Sequence, residues 1–211
     1  MKHLALLGAG GHGYSVLDVA TSSGYEEIFF FDDKVSLLVA VNGGMVRGTI
    51  SDFLASTPGA YDTLVSIGDN YRRLSIFNRL SSLGHSIVNL THTFSHVSHG
   101  VVLGIGSVIM PGAVVNVGTV IGAAAIINSG AVIEHHCSIG NGTHIAPRTV
   151  ICGGVCIGDR TLIGAGSIVT PRVKIGQDVI IGAGSVVLSD VPDGIVLAGN
   201  PAKLLRMNSP L

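Results

Sequence analysis

Between residues 97 and 187 every sixth position is aliphatic: Val97, Leu103, Ile109, Val115, Ile121, Ile127, Ile133, Ile139, Ile145, Ile151, Ile157, Ile163, Val169, Ile175, Ile181 and Val187. None of these sixteen positions breaks the register. Four residues after each lies a mostly small side chain, such as Ser107, Ala113, Thr119, Cys137, Thr149 or Ser185. A helix repeats about every 3.6 residues and a flat strand about every 2, and neither gives a strict six. A hexapeptide period belongs to a parallel β-helix, whose short strands bury their apolar face only when the next coil stacks on them. Three strands make a coil of eighteen residues, and the sixteen hexads make about five coils. The aliphatic side chain fills the interior, the small one fits beside it, and Gly-rich positions turn the corners.

The first ninety residues read differently. His3–Leu7 is an apolar run that enters Gly8-Ala9-Gly10-Gly11-His12-Gly13, and Tyr14 to Ser23 then has helical periodicity. Gly8, Gly10 and Gly13 fit G-x-G-x-x-G in a strand–turn–helix context, where a helix N-terminus offers free N–H groups to a phosphate. A second strand, Glu27 to Phe31, ends in Asp32-Asp33, a position from which carboxylates accept hydrogen bonds from a ribose or base. Residues 34–48 read as a loop with a turn at Asn42-Gly43-Gly44. Thr49 or Ser51 caps a short helix, Thr63 to Ile67 forms a third strand before Gly68-Asp69-Asn70, and Tyr71 to Leu83 forms a helix closed by Gly84. Ser86 to Leu90 is a fourth strand. Alternating strand and helix predicts a small parallel sheet, with the loops at 8–13, 32–33 and 68–71 opening on one edge. The expected organisation is thus α/β plus all-β. A Rossmann-like unit spans 1–90, and a parallel β-helix spans 91–211 and ends in a short helix over Leu204–Met207 that caps the last coil. The unit is too small for a full dinucleotide fold, so a nucleotide-linked sugar suits it better than NAD.

Composition narrows the partners. The 211 residues have a formal net charge of −1 and no basic run, so neither nucleic acid nor an anionic membrane surface is expected. The apolar run at the start is too short for a signal peptide or a membrane span, and a cytoplasmic protein is expected. The three Cys all lie in the repeat and fit neither a disulfide framework nor a CxxC zinc site.

Polar residues in the repeat concentrate at Asn128, Glu134-His135-His136-Cys137 and His144. His135 and His136 take the outward positions of their hexad, and Cys137 takes the small inward one, a core position rather than a nucleophile's. An imidazole is the usual general base when an amine or hydroxyl attacks an acyl group. Gly153 is eighteen residues past His135, hence stacked on it one strand spacing away, and its N–H suits an oxyanion. Gly164-Ala165-Gly166 gives an extended cofactor arm access to the backbone. His144 lies half a coil from His135, so the two meet only across a subunit boundary, as in a cyclic trimer. The γ-class carbonic anhydrases share the hexad architecture and bind zinc with three His, but His136 and His144 are eight residues apart and do not stack, so no metal is expected. His92, His96 and His99, at the junction, receive no role.

These motifs together carry a resemblance. The segments GAGGHG (8–13), FDD (31–33), IGDN (67–70) and INSGAVIEHHCSIG (127–140) make the whole chain resemble the PglD/NeuD-like sugar acetyltransferases, left-handed β-helix acyltransferases of the hexapeptide-repeat class. The resemblance implies a homotrimer with active sites between subunits, acetyl-CoA as co-substrate, and the 4-amino group of a nucleotide-linked amino-deoxy sugar as acceptor. Its best-fitting member acts on a UDP-linked 4-amino-4,6-dideoxy sugar of the bacillosamine type. Residue by residue, it implies His135 as the base and His144, Gly153 and Ala165 as contacts for CoA. It implies Gly10, Gly11, His12, Asp32, Asp33, Gly68, Tyr71 and Asn128 as contacts for the acceptor. His136 joins His135 in the catalytic pair but departs from the pattern. A Glu often stands there, and a neutral His accepts a hydrogen bond without supplying that charge. A GDP- or dTDP-linked acceptor, O-acetylation of a sialic-acid-type sugar, and a non-catalytic trimeric nucleotide-sugar binder are the alternatives.

Overall fold

A computed structural model describes residues 3–34, 40–41 and 44–208. Strand β1 (His3–Leu7) leads through the Gly-rich turn into helix α1 (Gly11–Ser22) and then β2 (Glu27–Phe31). After β3 (Ala40–Val41) and β4 (Gly44–Gly48) come α2 (Ile50–Leu54), β5 (Asp62–Val65), α3 (Asn70–Ser82) and β6 (Ser86–Ile87). The sheet order is β3-β4-β2-β1-β5-β6, parallel throughout except for the β3–β4 pair. Thr49 caps α2 in a capping box with Asp52. Two expectations change here. The 34–48 loop contains β3 and β4, while residues 42 and 43 of the expected turn lie outside the described residues. The expected strand 86–90 is divided between two sheets: β6 closes the first, and Leu90–Thr91 pairs with Val108–Ile109 in the β-helix.

The β-helix is a three-faced prism. Its first face stacks strands from Leu90–Thr91 to Ile180–Ile181, its second from His96–Val97 to Val186–Val187, and its third from Val102–Leu103 to Lys174–Ile175. Stacked partners are eighteen residues apart, as in Val108↔Ile126 and Val132↔Val150. Interior aliphatics such as Ile109, Ile133 and Ile151 are fully buried. Hydroxyls at the small position are buried beside them, and each needs an acceptor. They find one fifteen residues on: Ser107 donates to Gly122 O (2.9 Å), Thr119 to Glu134 O (3.0 Å) and Thr161 to Gly176 O (2.7 Å). The chain ends in a hairpin and not a helix. Ile195–Ala198 extends the first face, and Lys203–Met207 pairs antiparallel with it. Edge pairing here outweighs the helical preference of Leu204-Leu205-Arg206.

The two units share their cores. Leu90, Val108, Met110 and Ile126, on the outside of the first face, pack in one cluster with Leu4, Leu6, Val16 and Val19. Helix α3 lies along the corner between the third and first faces. Arg73 donates to Ala124 O (2.8 Å) and Gly142 O (2.7 Å), Asn70 Nδ2 to Arg160 O (2.9 Å), and Tyr71 Oη to Asp178 Oδ1 (2.6 Å). Residues 124, 142, 160 and 178 are one coil apart, so the N-terminal turn of α3 binds four successive corners. At Gly142 a Cβ would lie 3.1 Å from Leu74 Cβ, and φ is +62°. At Gly100 φ is +84°, but the space is open. Both Gly→Ala changes incur the left-handed penalty of about 1–2 kcal/mol. Gly142→Ala also presses on α3, by about 1–3 kcal/mol. In thermal unfolding Gly142→Ala is therefore expected to lower Tm by several degrees more than Gly100→Ala. Equal losses would mean that α3 is not seated on this corner.

Candidate functional site

Three loops meet at the carboxyl edge of the first sheet. A cavity of about 300 Å³ is lined by Gly8, Gly10, Gly11, His12, Asp32, Ser66, Ile67 and Gly68. The turn is fixed from two sides: Ala9 N–H donates to Asp32 Oδ2 (2.7 Å), and Ser66 Oγ donates to Gly8 O (2.7 Å). Gly13 has to be Gly, because a Cβ would lie 2.2 Å from Gly8 O. The N-cap of α1 is Gly10, with no side-chain cap and no acidic residue in the first turn. The N–H groups of that turn therefore remain available to an anionic ligand, reinforced by the helix dipole.

Of the residues expected to hold the acceptor, Gly10, Gly11, His12, Asp32 and Gly68 line this cavity. Asp33 and Tyr71 do not. Asp33 accepts from Ile50 N–H (2.9 Å) and from Arg72 (3.1 Å), and Tyr71 is engaged with Asp178. Asn128 joins the site from the β-helix. Ser129 N–H donates to its Oδ1 (2.8 Å), which turns the amide nitrogen toward His144 Nε2 (3.0 Å). The amide is the donor, so Nε2 accepts and the ring proton of His144 sits on Nδ1. The ring of His12 lies 6.3 Å from that of His144. Burial, then the Arg73 charge, lowers His12 to about 4. Burial, then Arg73 and then His12, lowers His144 to about 3. Both imidazoles are neutral at physiological pH. His12 Nε2 is buried with no hydrogen-bond partner among the described residues. His144 thus meets the Gly-rich loop of its own chain through His12, a contact that the spacing of the repeat does not reveal.

His135 and His136 occupy the corner between the second and third faces and are both exposed. Their Nδ1 atoms are 3.1 Å apart, so one ring donates to the other. The His135 ring rests on Gly153 as the eighteen-residue coil requires: a Cβ there would lie 2.6 Å from Cε1 and 2.7 Å from Nε2. The corner under α3 caps its N–H groups with side chains, Asn141 Oδ1 for Ala123 (2.9 Å) and Asp159 Oδ1 for Asn141 (2.7 Å). Gly153 N–H has no acceptor among the described residues. Cys137 is buried in the prism, which raises its thiol pKa, so it is a core residue. Ala165 is exposed at the corner between the first and second faces, the edge that also carries Asn128. Among the described residues no three His, Cys, Asp or Glu side chains form a metal-holding group, and no helix is long and apolar enough to cross a membrane.

The sequence reading missed Arg73, which is 1 % exposed and whose charge reaches both buried imidazoles. Its partners on the β-helix lie 51 and 69 residues away, and no local pattern marks it.

Comparison with known proteins follows this division. Residues 3–80 match the PglD N-terminal domain family, and residues 118–153 and 154–189 match the bacterial transferase hexapeptide (six repeats) family. The acetyltransferase domain of PglB from Neisseria gonorrhoeae FA1090, in complex with acetyl coenzyme A, is 38% identical with a TM-score of 0.93, over 97% of this chain and 99% of that one. PerB from Caulobacter crescentus, in complex with CoA and GDP-perosamine, is 35% identical with a TM-score of 0.91, over 97% and 98%. WeeI from Acinetobacter baumannii AYE is 25% identical with a TM-score of 0.88, over 97% and 100%. Likeness at this level along nearly the whole chain places the protein in the PglD/NeuD-like family of sugar acetyltransferases, enzymes of the left-handed β-helix, hexapeptide-repeat class.

Proposed function

We propose that this enzyme transfers an acetyl group from acetyl-CoA to the 4-amino group of a UDP-linked 4-amino-4,6-dideoxy sugar in the cytoplasm. The observation that carries this reading is the cavity at the uncapped N-terminus of α1, whose wall residue His12 lies against His144, itself hydrogen-bonded to Asn128 on the β-helix. The α1 N–H groups suit a diphosphate, and Asp32 suits a ribose or base. A GDP-linked acceptor is the second reading, because PerB, 35% identical, was solved with GDP-perosamine.

Bound acetyl-CoA would supply the acetyl group as a reactive thioester. On the exposed corner, Gly153 leaves room for the His135 ring, and its free N–H offers a hydrogen bond to the oxygen on which charge develops. His135 takes the proton of the attacking amine at Nε2. His136, accepting from His135 Nδ1–H, fixes the tautomer that leaves Nε2 free, the orienting role a carboxylate often fills. Transfer is direct: the amine attacks the thioester carbonyl, the carbon–sulfur bond breaks and CoA leaves as the thiol, while Cys137, the cysteine beside His135, is buried and offers no nucleophile.

The complete site is formed between subunits of a homotrimer. The second face presents an outward aliphatic column of Val114, Val132, Val150, Ile168 and Val186, with Ile168 41% exposed. The edges of this face carry the two parts of the site, His135 with Gly153 on one and Asn128 with Ala165 on the other. Packing three such faces around an axis sets one chain's His135 edge beside its neighbour's His144 side.

His135→Ala is expected to cut kcat by roughly a hundredfold or more with Tm unchanged. Near-normal turnover would remove His135 from the base's role. His144→Ala is expected to raise the KM for acetyl-CoA more than it lowers kcat. At an acetyl-CoA concentration that is limiting for His144→Ala, mixed oligomers of these two impaired variants should regain activity, because some interfaces then carry both histidines. If mixing restores nothing, the two act within one chain. A turnover screen over UDP-, GDP- and dTDP-linked 4-amino sugars decides the acceptor, and preference for the GDP sugar would favour the second reading.

A further inference from the structure

We propose that Arg73 is a positioning residue for the acceptor side of the site, clamping the cavity lip Ile67–Gly68 to the β-helix so that His12 is held opposite His144. The proposal rests on the reading that this cavity binds the sugar nucleotide. A guanidinium has five N–H donors in a fixed fork. In Arg73 each has its own acceptor. Nε donates to Ala124 O (2.8 Å), Nη1 to Ile67 O and Gly68 O (3.0 Å each), and Nη2 to Asn70 Oδ1 and Gly142 O (2.7 Å each). Ile67 and Gly68 line the cavity, and Gly142 lies two residues before His144. One side chain thus ties the lip, the N-terminal turn of α3 and two coils together from inside the interface. A Lys has no fork with which to span these acceptors.

The same placement puts a cation beside two imidazoles that must stay neutral. His144 Nε2 accepts from Asn128, whose orientation Ser129 N–H fixes, so a protonated His144 would face a donor. The charged and titratable groups around the pair are Arg73 from α3, Asp32 at the end of β2, and each imidazole for the other, with Asp69 acting on Arg73 itself. Burial is the larger cause of neutrality and Arg73 the second. Burial brings Arg73 down to about 10, and it remains charged at neutral pH. The pH dependence has a definite sign. Both histidines have folded pKa values below 6.5, so between 6.5 and about 4 and 3 the unfolded chain binds the protons and the native state does not. Their contribution to stability is full above pH 6.5 and is lost as pH falls. Removing the cation raises both folded values and narrows that window.

The test compares full-length Arg73→Met, Arg73→Lys and, as a control that loosens the α3 joint elsewhere, Asp178→Asn. The readouts are His12 and His144 titration by NMR, acceptor KM against kcat, and Tm. Wild type is expected to show neither histidine titrating above about pH 5. Arg73→Met should move both midpoints upward and raise acceptor KM about tenfold or more, with a smaller fall in kcat. Arg73→Lys keeps the charge and loses the fork, so the midpoints stay low while KM rises. Asp178→Asn should lower Tm and move neither midpoint. Arg73→Met with wild-type midpoints and KM would reduce Arg73 to a structural bolt and overturn the proposal. If Arg73→Met does not fold, a wild-type acceptor KM in Arg73→Lys overturns it. If wild type acetylates no amino sugar, the functional reading fails separately, and the NMR midpoints still decide the role of Arg73.

Discussion

The structure depends on one contact between a helix and a column of backbone oxygens. A coil of eighteen residues returns the chain to the same corner at each turn, so the carbonyls of Ala124, Gly142 and Arg160 stand in a row with the Asp178 side chain beyond them. The N-terminal turn of α3 has a donor for each. With the helix seated, Leu74 packs on Gly142 and Phe77 on Gly106, so these carbonyls are paired by the donors of the helix rather than by water. Each buried polar group left unpaired costs about 1–3 kcal/mol, and a whole domain holds only about 5–15 kcal/mol. The contact therefore has to be made as a unit. It sets where the nucleotide-type loops sit against the prism.

The hexad made much of the prism legible, because a period of six allows one geometry and fixes it to the residue. The stacking of His135 on Gly153 and the inward placement of Cys137 both follow from counting. Where the pattern loses its aliphatic residue, counting fails. The first coil begins at Leu90–Thr91, one hexad earlier than the periodicity shows, because Thr91 holds the position that Val97 and Leu103 hold later. Beyond Pro192 no repeat guides the reading, and a sheet edge in need of a partner turned an expected helix into a strand. The candidate site was legible by residue type and only partly by arrangement. The meeting of His12 with His144 depends on how two units dock, and the docking runs through Arg73, which no periodicity or motif singles out.

The two histidine pairs differ in what their surroundings permit. A general base has to gain a proton during turnover, so the charged imidazole must be tolerable. Beside Arg73 and out of water, His12 and His144 are far from that condition, held at about 4 and about 3. They suit hydrogen bonding in a fixed tautomer, as the Asn128 amide requires of His144. The His135–His136 pair stands in solvent, with one ring able to orient the other. The two pairs thus differ in exposure, one buried beside a fixed cation and the other open to solvent at the opposite edge of the second face.

That separation bears on assembly. One prism cannot bring its own two edges together, since the aliphatic second face lies between them. The first face is covered by the chain's own N-terminal unit, and the third carries Ser138, Cys156 and Lys174 in its outward column. The second face is the one whose outward column stays aliphatic from Val114 to Val186, so it has the most to gain from burial against copies of itself. The same face has His135 with Gly153 on one edge and Asn128 with Ala165 on the other. A helix-capped corner, a domain-covered face and an aliphatic face leave one economical arrangement for copies of the chain, and under the proposed function the rigid coil is then the spacer that would bring the His135 edge of one chain to the His144 side of its neighbour.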